Sequence, residues 1–244
     1  MFKRHPLFFL LLIFALTACT TDSPEEAAEA ETTAAKKVLI VGGGSSHDFD
    51  RWFNQEDSAT LTAAGFDVTY TDIPDEVLPA LAEIDLLYLS NNQSLTDPAL
   101  RDAIFAFVDA GKGLLLIHPS VWYNWEHWPA YNQELVGGGS RSHGPYGPFE
   151  ITVTDTEHPI MANVPASFIL EDELYRFEVA AEGPALNVLM IGTEPDTGTE
   201  FPIAWTVNHE TRRIVGITLG HDGYTHESEA YKTLLQNAAN WLVR

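Results

Sequence analysis

The sequence predicts an α/β fold with a mainly parallel central sheet, and two features carry this prediction. Apolar runs at 37–41, 86–89 and 114–117 are short and lack polar alternation, which is typical of strands buried on both faces. Segments with helical spacing separate these runs, and a strand–helix–strand order places successive strands in parallel with right-handed crossovers. We therefore expect the three runs to be adjacent central strands of one sheet.

Glycine and proline set several boundaries of the predicted elements. Gly65 ends the first helix, because glycine is favoured just beyond a helix C-terminus, and Pro98 begins the third, because proline is tolerated in a first turn. The first half then contains strand 37–41, helix 50–64, strand 66–70, helix 75–82, strand 85–89, helix 99–110 and strand 114–117. In the second half we expect a helical segment at 129–135, strands at 149–154, 186–191, 202–207 and 213–218, and a closing helix at 227–242.

The composition excludes some classes of partner. The chain has 244 residues, of which 45% are hydrophobic and 20% charged, as in a globular protein. Its formal net charge is −22, from 13 Lys and Arg against 35 Asp and Glu. Nucleic acid is excluded because phosphate recognition needs a basic surface. Docking on anionic lipid is disfavoured for the same reason, whereas neutral or cationic ligands are favoured.

The amino-terminal residues are typical of an export signal. Lys3 and Arg4 precede an apolar stretch at 7–16 that is shorter than a membrane-spanning helix. The sequence Leu-Thr-Ala-Cys ending at Cys19 resembles the cleavage site of a bacterial lipoprotein, with lipid attached to the cysteine sulfur. An ordinary secretory signal is the alternative.

This interpretation divides the chain into three parts. We predict a lipoprotein signal peptide at 1–18, an acidic disordered tether at 19–36 and the folded domain at 37–244. The mature protein is then expected to be an exported bacterial lipoprotein. It would be anchored in a lipid bilayer through Cys19 and would face the periplasm or the cell surface.

Cys19 is the single cysteine of the chain, which removes several kinds of chemistry from the folded domain. The domain has no disulfide, no thiolate metal ligand and no cysteine nucleophile. Ser120 lacks the G-x-S-x-G setting of an exposed nucleophilic serine and is predicted to be a poor nucleophile. The glycine-rich loop after the first strand has neither the G-x-G-x-x-G pattern nor a Walker lysine, so a dinucleotide site is rejected.

An aromatic segment follows the strand at 114–117. His118 comes directly after this strand, and Trp122 and Trp125 follow within a few residues. In open α/β sheets, ligands bind beyond the carboxyl ends of the strands. The segment therefore predicts a binding pocket. The alternative is that the tryptophans only cover an apolar edge of the sheet.

Three histidines share one setting, at or just after the carboxyl end of a predicted strand: His47, His118 and His221. Because the carboxyl ends of parallel strands meet at one edge of a sheet, we expect these side chains to converge. His143, in a glycine-rich loop, and the carboxylates of Glu173 and Asp222 are candidates to join them. The other histidines of the domain are predicted to be surface, turn or cap residues, namely His127, His158, His209 and His226.

Eight short motifs in order resemble the ThuA-like family, named for trehalose utilisation. They are G-G-x-x-x-H-D-F ending at Phe49, G-K-G-L-L-L-I-H (111–118), W-x-x-W-P-x-Y (125–131), L-V-G-G (135–138), S-H (142–143), H-P-I (158–160), D-E-L-Y (172–175) and L-G-H-D (219–222). The resemblance implies a flavodoxin-like three-layer α/β/α sandwich, similar to that of class I glutamine amidotransferases. This fold agrees with the strand pattern read from the sequence.

The same resemblance excludes one activity and suggests another. Where those amidotransferases carry a nucleophilic cysteine, this chain has His118, and His221 stands near the position of their triad histidine. Cysteine-dependent amide hydrolysis is therefore excluded. The family's association with sugar catabolism implies a small carbohydrate as the substrate, including an oxidised (keto) sugar.

Two main functions remain open from the sequence. The first is an enzyme in which His118, His221, Asp222 and Glu173 act on the sugar by acid–base or metal-assisted chemistry. The second is a non-catalytic carbohydrate-binding envelope lipoprotein that uses the same cleft. A third class, a purely structural envelope lipoprotein, would bind no ligand. The residues predicted to contact the sugar are His47, Asp48, Trp122, Trp125, His143 and Tyr175.

A divalent metal such as zinc is the cofactor that these side chains suit. The candidate ligands are His47, His118, His143 and His221, with an oxygen from Glu173 or Asp222. The chain lacks the H-x-H and H-E-x-x-H spacings that signal a metal site strongly. The alternative is a metal-free pocket in which His118 and His221 exchange protons with the substrate.

Overall fold

The structure is a computed structural model that describes residues 1–3 and 34–244, and residues 35–244 form one compact unit. Most of the predicted signal peptide and nearly all of the predicted tether, including Cys19, lie outside the described residues. No helix within the described part of the chain is long and apolar enough to cross a membrane.

Strands and helices alternate through the first half of the folded unit, as the sequence predicts. The strands are β1 (Lys37–Val41), β2 (Asp67–Thr71), β3 (Leu86–Leu89), β4 (Gly113–Ile117), β5 (Gly138–Gly139), β6 (Gly147–Val153), β7 (Ser167–Asp172), β8 (Glu178–Val179), β9 (Leu186–Thr193), β10 (Glu200–Val207) and β11 (Arg213–Ile217). The α-helices are α1 (Ser58–Ala63), α2 (Pro74–Ala80), α3 (Pro98–Asp109), α4 (Gly223–His226) and α5 (Glu229–Leu242). Two stretches wind as π-helix, Asp50–Asp57 and Tyr131–Val136, and two as 3₁₀-helix, His118–Val121 and Pro159–Met161.

Nine of the strands described in residues 34–244 form one mixed sheet in the order β2-β1-β3-β4-β11-β10-β9-β6-β7. The first five are parallel to one another, whereas β10, β9, β6 and β7 extend the sheet in antiparallel fashion. With β11 counted as the fifth strand, the parallel part has the flavodoxin-like order 2-1-3-4-5. The prediction that the three apolar runs are adjacent central strands is confirmed.

Helices cover both faces of the parallel part of the sheet, because its strands are apolar on both sides. On one face, Ile40 of β1 packs in a core that includes Leu234 of α5. On the other face, Leu39 packs in a second core that includes Ile104 of α3. The predicted three-layer α/β/α sandwich is confirmed.

Several predicted helices differ in detail from the observed ones. The first helix begins as a π-helix at Asp50–Asp57, and such turns are frequent at functional positions. The closing helix predicted at 227–242 is observed as α5, which begins at Glu229, and a short helix that was not predicted, α4, precedes it and is capped by the Asp222 side chain. The strand β7 was not among the predicted elements. It lies at an edge of the sheet, where one face is exposed and the apolar pattern is weak: Ile169 is 72% exposed.

Candidate active site

The candidate site lies beyond the carboxyl ends of the parallel strands. His47 comes from the loop after β1, His118 follows β4 directly, and His221 comes from the loop after β11. The ring centroid of His47 is 4.9 Å from that of His118 and 5.1 Å from that of His221, and the last two rings are 5.6 Å apart. The structure thus brings together the three histidines that share a strand-end setting in the sequence.

Glu173 places a carboxylate among these rings. It follows β7, which reaches the site from the antiparallel part of the sheet. Its Oε2 atom is 3.3 Å from Nδ1 of His221 and 3.7 Å from Nε2 of His118. Its Oε1 atom is 3.6 Å from Nε2 of His143. Glu173 therefore contacts the imidazoles of His118, His143 and His221.

Backbone carbonyls orient three of the imidazole rings. Nδ1 of His118 donates to the Thr218 carbonyl at 2.6 Å, Nδ1 of His47 to that of Ser45 at 3.1 Å, and Nδ1 of His143 to that of Gly144 at 2.7 Å. A carbonyl only accepts hydrogen bonds, so the ring proton is assigned to Nδ1 in each case. The Nε2 atom then carries the lone pair, and in His118 this lone pair accepts a hydrogen bond from the Tyr175 hydroxyl at 3.2 Å.

The conformation of His118 is strained. Its φ angle is +44°, in the left-handed region that residues with a Cβ atom rarely adopt, and its side chain is fully buried. Such a backbone costs about 1–3 kcal/mol and is found mainly at functional sites. The bend turns the chain sharply at the end of β4 and directs the ring into the site.

Burial sets the charge of the two inner imidazoles. Burial lowers the pKa of His118 well below its ordinary value, and the adjacent His47 ring adds to the effect. Burial also lowers the pKa of His47. Both rings are therefore neutral at neutral pH, which is the state that accepts a proton or binds a metal.

Glu173 and His221 behave as an ion pair. The Glu173 carboxylate raises the pKa of His221, which outweighs the effect of burial. Burial alone would raise the pKa of Glu173, but the adjacent His221 and the other nearby imidazoles lower it. The site thus combines an ionised carboxylate, one ring with a raised pKa and two neutral rings.

A cavity of about 290 Å³ opens onto this cluster. Its aromatic walls are Trp122 and Tyr175, whose ring centroids are 5.1 Å apart, and the Tyr175 hydroxyl is 3.2 Å from Nε2 of His118. Aromatic walls with a few converging polar groups are typical of a small-molecule site. The residues that line the cavity are Ser46, His47, Asn92, Pro119, Trp122, Asn124, His143, Glu173, Tyr175 and His221.

Three predicted site residues lie elsewhere. Asp222 accepts hydrogen bonds from the Tyr224 amide at 3.0 Å and the Tyr146 hydroxyl at 2.8 Å, so it caps α4 instead of lining the cavity. Asp48 likewise accepts from the Arg51 amide at 3.1 Å, at the start of a helical segment.

Trp125 is also outside the cavity. It is 4% exposed and donates from Nε1 to the Gln93 carbonyl at 3.1 Å. It borders a second cavity of about 480 Å³, together with Tyr123 and Arg141. His143 does line the site cavity. It is linked to the cluster of His47, His118, Glu173 and His221 through its contact with Oε1 of Glu173.

Two buried carboxylates that the sequence analysis did not select as site residues form hydrogen bonds and an ion pair next to the site. Asp172 is fully buried, and its Oδ2 atom accepts from the Gly220 amide at 2.8 Å and the Thr225 hydroxyl at 2.5 Å, which fixes the turn that carries His221. Asp57 is 1% exposed and pairs with Nδ1 of His226 at 2.7 Å. The interpretation of His226 as a surface, turn or cap residue is therefore wrong, because its ring is fully buried.

Fold and site together define a flavodoxin-like α/β/α protein with an imidazole–carboxylate centre at the carboxyl ends of its parallel strands. More specifically, the chain belongs to the ThuA family, which is described as trehalose utilisation. The model of this family matches residues 25–242.

Solved structures share this fold. A ThuA-like protein from Bacteroides uniformis has a TM-score of 0.73 at 23% identity, covering 88% of this chain and 95% of that one. A ThuA-like protein from Parabacteroides merdae has a TM-score of 0.75 at 19% identity, covering 86% and 90%. The carbohydrate deacetylase Agd3 has a TM-score of 0.59 at 16% identity, covering 86% of this chain but 32% of its own. No curated protein matches the chain.

Proposed function

We propose that this protein is an enzyme that acts on a sugar or an oxidised (keto) sugar at the centre formed by His47, His118, Glu173 and His221. The convergence of these four side chains carries the proposal: His47, Glu173 and His221 line one cavity, and the buried His118 lies in contact with them. Side chains with shifted pKa values that meet in a cleft are typical of catalytic sites.

The strain at His118 favours catalysis over simple binding. A buried imidazole in a left-handed backbone conformation is costly, and a protein that only held a sugar would not need it. Nor would it need an ionised Glu173 held between rings, since sugar hydroxyls are uncharged. Neutral imidazoles and an ionised carboxylate suit the removal of a proton from a water or a hydroxyl group.

Three observations support a sugar as the substrate. The family is described as trehalose utilisation, and a structure with the same fold is a carbohydrate deacetylase. Trp122 and Tyr175 offer aromatic faces to the C–H faces of a sugar ring, while Asn92 and Asn124 offer amide groups to its hydroxyls. The net charge of −22 disfavours an anionic substrate.

The substrate class is tested with a panel of disaccharides and their keto derivatives, with product formation followed by chromatography. We expect turnover of at least one panel member. We expect Trp122→Ala to raise KM about tenfold, because an aromatic contact contributes about 0.5–1.5 kcal/mol beyond its buried area. The matched control is Tyr123→Ala, since this adjacent aromatic residue borders the other cavity.

The competing function gives a different result. If calorimetry shows sugar binding but no panel member is converted, the protein is a carbohydrate-binding lipoprotein and not an enzyme. If Tyr123→Ala weakens substrate use as much as Trp122→Ala, the sugar does not occupy the cavity assigned here.

We also propose that the protein is exported and lipid-anchored through Cys19, on the basis of the basic, apolar and Leu-Thr-Ala-Cys sequence that precedes it. We expect Cys19→Ser to abolish labelling by radioactive palmitate and to leave the signal peptide uncleaved, whereas Thr21→Ala changes neither. Persistent lipid labelling of Cys19→Ser would show that the anchor lies elsewhere.

A further inference from the structure

We infer that the same four side chains bind one divalent transition-metal ion, for which zinc is the best match. The ligands are Nε2 of His47, Nε2 of His118, Nδ1 of His221 and a carboxylate oxygen of Glu173. This inference rests on the proposed active site and names the cofactor that it would use, but metal binding is measured without any substrate.

The spacing of the four groups fits a metal ion. Each residue offers one nitrogen or carboxylate oxygen atom, and these atoms all lie within 4.8 Å of one another. Zinc ligands stand about 2.0–2.2 Å from the ion, so tetrahedral ligand atoms are about 3.3–3.6 Å apart. The distances from Glu173 Oε2 to His221 Nδ1, 3.3 Å, and to His118 Nε2, 3.7 Å, are already in or beside this range.

The orientation of the rings also fits. Metal-bound histidines usually donate their other ring N–H to a carbonyl or carboxylate, which fixes the tautomer and aims the free nitrogen at the ion. His118 and His47 do so through the carbonyls of Thr218 and Ser45. Both rings are held by the backbone of the strand-end loops, so their Nε2 atoms are positioned before any ligand arrives.

Two buried nitrogens lack a hydrogen-bond partner within the described residues. They are Nε2 of His47 and Nδ1 of His221; the second has only its ion pair with Glu173 Oε2 at 3.3 Å, whose angles are poor for a hydrogen bond, so Nε2 of His47 is the stronger of the two observations. Buried polar atoms are nearly always paired, and each exception calls for a ligand or a function. A metal ion at the common point of the cluster satisfies both atoms at once.

The donor set selects the kind of ion. Three imidazole nitrogens and one carboxylate suit zinc and its first-row neighbours, whereas calcium and magnesium prefer oxygen ligands. The cavity leaves one side of the cluster open beside Trp122 and Tyr175. Closed coordination is typical of structural zinc sites and an open position of catalytic ones, so this ion would meet the substrate.

The test uses the full-length protein, purified in detergent, stripped with a chelator and titrated with Zn²⁺ by calorimetry, with Co²⁺ as an absorption probe. We expect about one ion per chain, bound with release of protons where a ligand was protonated. His221→Ala and His47→Ala should weaken binding by more than the roughly 10–100-fold that loss of a supporting group costs. His143→Ala is the matched control, because this ring touches Glu173 from outside the four-atom set and should retain the ion.

The inference is overturned if the stripped protein takes up no Zn²⁺, or if the affinity is the same in wild type and His221→Ala, which would place the ion on the acidic surface. It is also overturned if His143→Ala loses the ion as completely as His221→Ala, since the ligand set would then be different. Wild type that binds no metal and still converts a sugar refutes only the metal. Wild type that binds one ion and converts no sugar refutes only the proposed function.

Discussion

Glu173→Gln is expected to lower kcat on the sugar substrate by about 10²- to 10⁴-fold, the range for loss of a group that moves a proton in the transition state. The variant keeps the shape of the side chain and removes its charge. Glu173 contacts three imidazoles, and its charge raises the pKa of His221, so the variant should lower the pKa of His221. The variant should also weaken the proposed metal site. The measurement is the initial rate at saturating substrate.

Glu171→Gln is the matched control for this loss. Glu171 lies two residues earlier, within β7, outside the residues that line the site cavity, and the same change there is expected to leave kcat within about twofold of wild type. Circular dichroism of both variants verifies that they fold. If Glu173→Gln folds and retains more than about a tenth of the wild-type kcat, Glu173 has no catalytic part.

Asp57→Asn is expected to lower the free energy of unfolding by about 3–5 kcal/mol, as is usual when one partner of a buried ion pair is removed. Asp57 lies 2.7 Å from Nδ1 of His226, with both side chains almost completely buried. The same carboxylate accepts hydrogen bonds from the hydroxyls of Tyr88 at 2.5 Å and Tyr231 at 3.1 Å. For a chain of this size we expect a fall in Tm of roughly 6–20 °C.

Glu56→Gln is the neighbouring control, since Glu56 is not buried and we expect its replacement to change stability by less than about 0.5 kcal/mol. Equal stability of Asp57→Asn and wild type by urea unfolding would mean that the Asp57–His226 pair contributes nothing to the fold.

The stability lost in Asp57→Asn should depend on pH. Burial lowers the pKa of His226, but the charge and hydrogen bond of Asp57 outweigh it, so the pKa is raised above its unfolded value. A raised pKa contributes stability that is fully present below the unfolded value of about 6.5 and is lost as the pH rises through the folded value. The difference between wild type and Asp57→Asn should therefore be largest in mildly acid solution and should shrink as the pH rises above neutral.

The sequence predicted the parallel part of the sheet well because burial on both faces leaves a clear mark. The runs at β1, β3 and β4 are continuous and apolar, and parallel strands end at a common edge. The convergence of His47, His118 and His221 follows from this rule alone. Glu173 was a candidate to join these histidines, but it reaches the same edge from an antiparallel strand, so the rule for parallel strands does not predict its position.

The positions of three carboxylates, Asp48, Asp222 and Asp57, could not be predicted from the sequence. Asp48 and Asp222 directly follow site histidines, but neighbouring residues in a loop point in different directions, and both carboxylates cap helices. Asp57 follows other polar residues in a helical segment and resembles a surface charge. Its partner His226 is 169 residues away, and nothing in the local pattern of either residue indicates a buried pair.

The position of the bound sugar tests the central claim most directly. The measurement is a crystal structure of Glu173→Gln soaked with a disaccharide that the wild type converts. We predict one sugar ring against Trp122 and Tyr175, with an oxygen atom within hydrogen-bond distance of His118 or His221. A sugar that occupies instead the larger cavity beside Tyr123 and Arg141, with the His47–His118–His221 cluster unoccupied, would contradict the assignment of this cluster as the reaction centre.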